Sequence, residues 1–140
     1  MLASFWQWMH RRHGWSETGL QTSVSPSVGT SIGAVIEMLT EPCDGVILQP
    51  PVFTDFKPLI NRAERIPIRS PLQLVDGRYR MDLDDLATQA AEPRNKLMIL
   101  CNPQNPVGRV WTAEEMAAVA SICSENAVFV IADEIHADLT

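Results

Sequence analysis

The composition of this 140-residue chain limits what it can be. Hydrophobic residues make up 46% of the sequence and charged residues 20%, which is typical of a globular domain with one core. The net charge of −6 predicts no nucleic-acid partner, because phosphate backbones are held by clustered lysine and arginine. No apolar run is long enough to cross a membrane, and three cysteines without CxxC spacing predict reduced thiols and no metal site. Near the amino end the basic residues follow the apolar ones, the reverse of a signal peptide, so we expect a cytoplasmic protein.

The amino-terminal part of the chain predicts two helices. Residues 2–13 place their large aromatic side chains at helical spacing and stop at Gly14, which adopts a left-handed cap easily. Residues 20–25 are a weak strand candidate. A turn at 26–30 then opens a helix at 31–39, whose free backbone amides and nearby hydroxyl groups suit a phosphate, although an ordinary helix cap has the same residues.

The middle of the chain predicts alternating strands and helices, with one hairpin between them. The Asp76-Gly77 pair is the hairpin signal, because both residues tolerate the positive φ that a tight turn needs. Asp82 is expected to cap the helix that follows. The predicted elements are a strand at 46–48, a loop at 50–53, a helix at 54–64, a strand at 65–69, hairpin strands at 72–75 and 78–81, and a helix at 82–91.

The last third of the chain predicts a β-α-β unit. An apolar run at 97–100 precedes a helix that opens with Thr112 and Glu115, the two residues of a capping box. The next apolar run, 127–132, is rich in β-branched residues and predicts a strand buried on both faces of a parallel sheet. The order of the elements therefore predicts an α/β fold with a mainly parallel sheet flanked by helices.

Polar residues follow both strands of this unit. Residues 102–109 come directly after the first strand, and residues 133–136 come after the second. Because ligands of parallel sheets bind beyond the carboxyl ends of the strands, we expect both segments to converge on one site. Arg109 could contact a ligand there, but a salt bridge at the edge of the loop is favoured.

These two polar segments resemble those of a known family. The strings are Asn102-Pro103-Gln104-Asn105-Pro106-Val107-Gly108-Arg109 and Asp133-Glu134-Ile135-His136, and they look like the pyridoxal-phosphate-dependent fold-type I aminotransferases of class I/II. Within that family the chain is most similar to the MalY/PatB branch of cysteine-S-conjugate (cystathionine) β-lyases. Further motifs fit this branch in the same order: Arg12-His13-Gly14-Trp15, Glu41-Pro42-Cys43-Asp44-Gly45-Val46 and Gln49-Pro50-Pro51-Val52-Phe53.

The resemblance implies a role for each matching residue. Asp133 matches the aspartate that keeps the pyridine nitrogen of pyridoxal 5'-phosphate protonated, so that the ring can withdraw electrons. Asn105 matches the residue that hydrogen-bonds the phenolic oxygen of the cofactor, and His136 lies where many relatives place a tyrosine near that oxygen. Phe53 matches the aromatic ring that stacks on the pyridine, usually a tyrosine in this branch.

The resemblance also places the phosphate of the cofactor. Ser27, Val28 and Gly29 match the phosphate-binding loop, although relatives usually have a glycine followed by two valines there. No catalytic residue is expected within the chain, because neither Lys57 nor Lys96 matches the Schiff-base lysine of the family. That lysine is expected beyond Thr140. Residues 1–140 are then part of the large, cofactor-binding domain, without the small domain or the carboxyl-terminal half.

The resemblance implies a carbon–sulfur β-lyase that acts on an amino-acid substrate, cystathionine or another S-substituted cysteine, and forms a homodimer. Three alternatives stay open at this point. The chain could belong to an aminotransferase, since nothing in its residues distinguishes carbon–sulfur bond cleavage from transfer of the amino group. It could also be the effector-binding half of a transcription regulator, or a truncated product without activity.

Overall fold

The computed structural model describes residues 2–139. Four parallel strands form one sheet, with helices on both faces, and two more strands form a separate hairpin. None of the helices within these residues is long and apolar enough to cross a bilayer. The elements are α1 (Leu2–His13), α2 (Val28–Leu39), β1 (Gly45–Leu48), α3 (Phe56–Arg62), β2 (Ile66–Arg69), β3 (Gln73–Val75), β4 (Arg78–Arg80), α4 (Leu83–Ala90), β5 (Asn95–Cys101), α5 (Ala113–Glu125), β6 (Phe129–Asp133) and a 3-10 turn (Ala137–Leu139).

The sheet confirms the predicted fold class. Its strands run in the order β2-β1-β5-β6, and every neighbouring pair is parallel. Strands β1 and β5 are buried on both faces, because alternate side chains enter two separate core clusters. One cluster lies under α2 and α3 and includes Ile36, Phe56 and Leu97, and the other lies under α4 and α5 and includes Leu86 and Met98.

The local signals in the middle and last third of the chain are confirmed. The Thr112 side chain accepts a hydrogen bond from the Glu115 amide at 3.2 Å, and Glu115 accepts one from the Thr112 amide at 2.8 Å, which completes the capping box of α5. Asp82 caps α4 by accepting from the Asp85 amide. Both residues of the Asp76-Gly77 turn have positive φ, as a two-residue hairpin connection requires.

Helix α2 begins three residues earlier than predicted. Ser27 is its N-cap, since the Ser27 hydroxyl accepts a hydrogen bond from the Thr30 amide at 3.1 Å. The turn predicted at 26–30 is therefore mostly the first turn of the helix. Val28 and Gly29 contribute their amides to a helix amino terminus, where the helix dipole is positive.

Three other predictions differ from the structure. Residues 20–25 form no strand, because no strand within residues 2–139 pairs with them. The helix predicted at 54–64 is shorter, Phe56–Arg62. Strand β6 begins at Phe129 and is not buried on both faces: within the described chain it pairs with β5 alone, and the Phe129 side chain is 54% exposed.

Replacing Gly45 by alanine is expected to lower the free energy of unfolding by about 2 kcal/mol. A Cβ at this position would lie 1.8 Å from Asn95 Oδ1 and 2.8 Å from Ile68 Cγ1. The Asn95 side chain cannot easily yield, because its amide donates a 2.8 Å hydrogen bond to the Gln89 carbonyl. Urea denaturation of Gly45→Ala against wild type measures the effect.

The matched control is Gly33→Ala in α2, where nothing lies within 4 Å of an added Cβ. Alanine has the higher helix propensity, so this variant should be more stable than wild type by about 0.5–1 kcal/mol. Equal stability of Gly45→Ala and Gly33→Ala would contradict the close packing of β1 between β2 and β5.

Alkylation at pH 8 is expected to modify Cys43 and to leave Cys123 intact in the folded chain. Cys43 is exposed, whereas burial in the core raises the pKa of Cys123 to about 11. Only the thiolate reacts, and at pH 8 about one Cys123 side chain in a thousand would be ionised. Peptide mapping after brief iodoacetamide treatment measures this, and labelling of Cys123 should increase as the pH approaches 11. Equal labelling at pH 8 would mean that the core opens readily.

Candidate active site

A cavity of about 660 Å³ lies at the carboxyl edge of the parallel sheet, among the segments that follow β1, β5 and β6 and the first turn of α2. The structure brings all the sequence-predicted site residues to this one cavity. They are Ser27, Val28, Gly29, Phe53, Asn105, Asp133 and His136. Their proximity follows from the sheet, because parallel strands end at the same edge. Their individual roles remain predictions.

Asp133 is the buried acid of the cavity. It is the last residue of β6 and is 7% exposed, whereas the next residue, Glu134, is exposed. One Asp133 carboxylate oxygen accepts a hydrogen bond from the Ile135 amide at 3.2 Å, which fixes the direction of the side chain. The Asp133 carbonyl also accepts from the Asn102 amide at 3.0 Å, so the ends of β5 and β6 are tied together. A buried carboxylate at this position can accept a short, charge-assisted hydrogen bond from a cationic donor in the cavity.

Phe53 presents an aromatic ring to the cavity and is not a core residue. Its side chain is 41% exposed. The ring is held by an edge contact to the buried ring of Phe56, with centroids 5.6 Å apart and planes at 79°. Phe53 therefore lines the cavity with a partly exposed ring, and offset stacking of a flat ligand on an aromatic ring is favourable.

The amino end of α2 presents backbone amides to the cavity. The first amides of a helix have no partner within the helix, and here the Ser27 hydroxyl occupies the Thr30 amide. The amides of Val28 and Gly29 donate to no group within residues 2–139. A Cβ on Gly29 would be 3.8 Å from Leu59 Cδ1, so α3 lies directly beside this turn. The arrangement fits a phosphate.

Asn105 and His136 are half-buried and complete the polar rim. The Asn105 amide lies 3.5 Å from the Cys101 sulfur, and the Cys101 thiol donates to the Pro103 carbonyl at 3.2 Å. Burial raises the pKa of the Cys101 thiol; the Asn105 amide opposes this and the Asp133 carboxylate adds to it. Cys101 is therefore a protonated thiol at neutral pH that packs beneath the loop, not a nucleophile.

Gln104 joins the two loops that carry Phe53 and Asn105. It is 2% exposed, and its side-chain amide donates to the carbonyls of Gln49 at 3.2 Å and of Pro51 at 2.8 Å. Sequence reasoning missed this role. A glutamine inside a polar loop has no pattern that distinguishes a buried link from a solvated side chain, and Gln104 is 55 and 53 positions away from its two partners along the chain.

The predicted salt bridge of Arg109 is confirmed. Its guanidinium contacts the Glu115 carboxylate at 2.5 Å and lies 4.7 Å from the centre of the Trp111 ring. The Trp111 indole donates to the Cys101 carbonyl at 3.0 Å. Arg109 is thus a support of the loop outside the cavity, linking it to the start of α5.

The other cavity residues were not predicted from the sequence. They come from α2, α3, the loop before α3, the last residue of β5 and the segment after β6: Ile32, Asp55, Phe56, Pro58, Leu59, Arg62, Cys101 and Ile135. Neither lysine of the chain lines the cavity: Lys57 lines a separate cleft of about 380 Å³, and Lys96 is exposed near the start of β5. Within residues 2–139 no three His, Cys, Asp or Glu side chains are arranged to hold a metal ion.

Known proteins share both the sequence and the fold of the chain. Cystathionine beta-lyase PatB of Bacillus subtilis is 41% identical over 132 residues, which are 94% of this chain and 34% of that protein. The pyridoxal-phosphate-bound C-S lyase of Staphylococcus hominis superposes with a TM-score of 0.93 at 30% identity, covering 98% of this chain and 36% of the other. Cystalysin of Treponema denticola, whose crystal structure contains pyridoxal 5'-phosphate, has a TM-score of 0.91 at 32% identity, covering 97% and 34%.

The similarity extends over nearly all of the chain, which spans about a third of the length of these relatives. The predicted fold, that of the fold-type I enzymes, is confirmed by the superpositions. The sequence model described as aminotransferase class I and II matches residues 2–140. The chain therefore belongs to the aminotransferase class I and II family.

Proposed function

We propose that the chain forms part of the cofactor-binding domain of a pyridoxal-phosphate-dependent carbon–sulfur β-lyase that acts on cystathionine or other S-substituted cysteines. One observation carries the proposal: a buried carboxylate, an exposed aromatic ring and an unsatisfied helix amino terminus line the same cavity. These three groups match the pyridine nitrogen, the ring and the phosphate of pyridoxal phosphate. The similarity to a cystathionine beta-lyase and a C-S lyase supports carbon–sulfur bond cleavage over transamination.

Each part of the cofactor has a partner in the cavity. The amides of Val28 and Gly29 and the hydroxyl of Ser27 would hold the phosphate. The ring would lie on Phe53, with its nitrogen at the Asp133 carboxylate, and Asn105 and His136 would face its phenolic oxygen. This set of residues contains an acid, hydrogen-bond donors and a flat apolar surface, which is the chemistry the cofactor requires.

Asp133 has the central electrostatic role in this proposal. Pyridoxal phosphate supplies an electron-withdrawing ring that makes the α-proton of a bound amino acid acidic. A carboxylate that is 7% exposed holds a proton on the ring nitrogen more strongly than an exposed one, because water screens it less. The chemistry supplied by the bound cofactor would allow the α-proton to be lost to a base and the bond between Cβ and sulfur to break; the sulfur would take up a proton and leave as a thiol, and water would hydrolyse the remaining fragment to pyruvate and ammonia.

The proposal also covers the domain to which the chain belongs, the oligomeric state of the enzyme and its localisation. Residues 1–140 are taken as part of one large domain of a longer enzyme. We also propose that this enzyme is a cytoplasmic homodimer without a nucleic-acid partner. The net charge of −6 supports the absence of a nucleic-acid partner. The exposed apolar side chains of Leu2, Phe5 and Trp8 in α1 support an interface with a second copy.

A hybrid enzyme tests the function directly. The matching third of the Bacillus subtilis lyase is replaced by this chain, so that the remaining two thirds come from the relative. The hybrid should retain pyridoxal phosphate, seen in its absorption spectrum, and release thiol and pyruvate from cystathionine. A folded hybrid without cofactor would overturn the proposal, and transfer of the amino group to a 2-oxo acid in place of thiol release would favour an aminotransferase.

In this hybrid, Asp133→Ala is expected to lower thiol release by about a hundredfold, because it removes the charge that stabilises the protonated ring. Glu134→Ala is the matched control and should retain activity, since Glu134 follows the last residue of β6, is exposed and does not line the cavity. Initial rates of thiol release measure both variants. Similar losses for the two variants would remove Asp133 from its proposed role.

The 140-residue chain alone is expected to form no specific covalent lysine adduct with pyridoxal phosphate and to have no lyase turnover. Both lysines lie outside the cavity. After mixing with the cofactor and reduction with borohydride, peptide mapping should find no dominant labelled lysine. Stoichiometric labelling of Lys57 or Lys96 together with thiol release would contradict the proposal that a further lysine is needed.

A further inference from the structure

Arg62 is the one arginine or lysine among the residues that line the cavity. It is the last residue of α3, and its side chain is exposed. Within residues 2–139 its guanidinium has no hydrogen bond, ion pair or ring contact. A chain with a net charge of −6 therefore presents an uncompensated cation to the one site where we propose that an anion binds.

The position of Arg62 on α3 directs it toward the first turn of α2. Leu59 lies against that turn, 3.8 Å from the Cβ position of Gly29. Arg62 follows Leu59 by three residues and so shares its helix face. Helical side chains point back toward the amino end of their helix, and the loop that precedes this end of α3 carries Phe53, which also lines the cavity. The guanidinium can thus approach the amides of Val28 and Gly29.

A phosphate bound in this cavity would be stabilised by a cation, because the cavity is also lined by acidic side chains. A phosphate ester carries a charge of about −1.5 to −2 at pH 7, and the cavity already holds the carboxylates of Asp55 and Asp133. The amino terminus of α2 offers the equivalent of about half a positive charge. An arginine adds a full charge, and its planar group can donate two parallel hydrogen bonds to phosphate oxygens.

We infer that Arg62 is a phosphate-binding residue of this site. From α3, its guanidinium would contact the same phosphate that the Val28 and Gly29 amides of α2 bind. The inference rests on the proposed function and adds to it a specific recognition of the phosphorylated form of the cofactor. Arg62 contributes binding and orientation, and it takes no part in moving a proton.

The test compares two ligands that differ only in the phosphate. Pyridoxine 5'-phosphate and pyridoxine both lack the aldehyde, so neither can react with a lysine, and each is titrated into the full chain by calorimetry. Wild type should bind the phosphate form more tightly. Arg62→Gln should weaken binding of pyridoxine 5'-phosphate by about fivefold, the effect of one solvent-accessible charged contact, and should leave the affinity for pyridoxine unchanged.

Two further variants test whether the effect depends on a positive charge at position 62 and not on the total charge of the chain. Arg62→Lys should restore part of the preference, and added salt should reduce it, because both act on the charge. Arg69→Gln is the matched control: Arg69 is exposed at the end of β2, does not line the cavity, and likewise has no partner within residues 2–139. It should bind both ligands as wild type does.

The outcomes distinguish this inference from the proposed function. If wild type prefers pyridoxine 5'-phosphate and Arg62→Gln retains the full preference, Arg62 is not a phosphate ligand, while the cofactor site stands. If Arg62→Gln weakens both ligands equally, the residue only shapes the cavity, and the inference fails. If wild type itself shows no preference for the phosphate form, both the inference and the proposed cofactor site fail.

Discussion

The parallel pairing of β5 with β1 on one side and β6 on the other is the constraint on which the rest of the structure depends. Both faces of β5 are buried, and its alternate side chains join the two core clusters. Burial of this kind stabilises the fold by roughly 2 kcal/mol per large apolar side chain. Because the strands are parallel, the same interaction that forms the core also places the three strand ends at one edge, where the cavity lies.

The loops at this edge are fixed by a few buried polar contacts. Gln104 binds two carbonyls of the loop after β1, and Trp111 binds the last carbonyl of β5. Arg109 joins the same loop to α5 through Glu115. Each of these groups would cost about 1–3 kcal/mol if it were buried without its partner, so the loop has one favoured arrangement. Asn105 and Phe53 are thereby held on rigid supports.

The cavity is lined by groups of opposite charge. The Asp133 carboxylate at the end of β6 is negative. The amino terminus of α2 and the Arg62 side chain of α3 are positive. A flat ligand that carries a cationic nitrogen and an anionic phosphate would suit these charges, and the Phe53 ring lines the same cavity. Because the chain has a net charge of −6, these positive groups distinguish the cavity from the rest of the molecule.

The sequence by itself determined the α/β class, the capping box at Thr112 and the hairpin at Asp76, because caps, turns and periodicity depend on neighbouring residues. The motifs also singled out seven of the residues that line the cavity, through their resemblance to a family. Only the tertiary structure decided that β6 is exposed along one side, that Gln104 joins two loops, and that Arg62 reaches the cavity. These features arise from contacts between segments far apart in the chain, and such contacts form only when the parallel strands pair and bring the segments together.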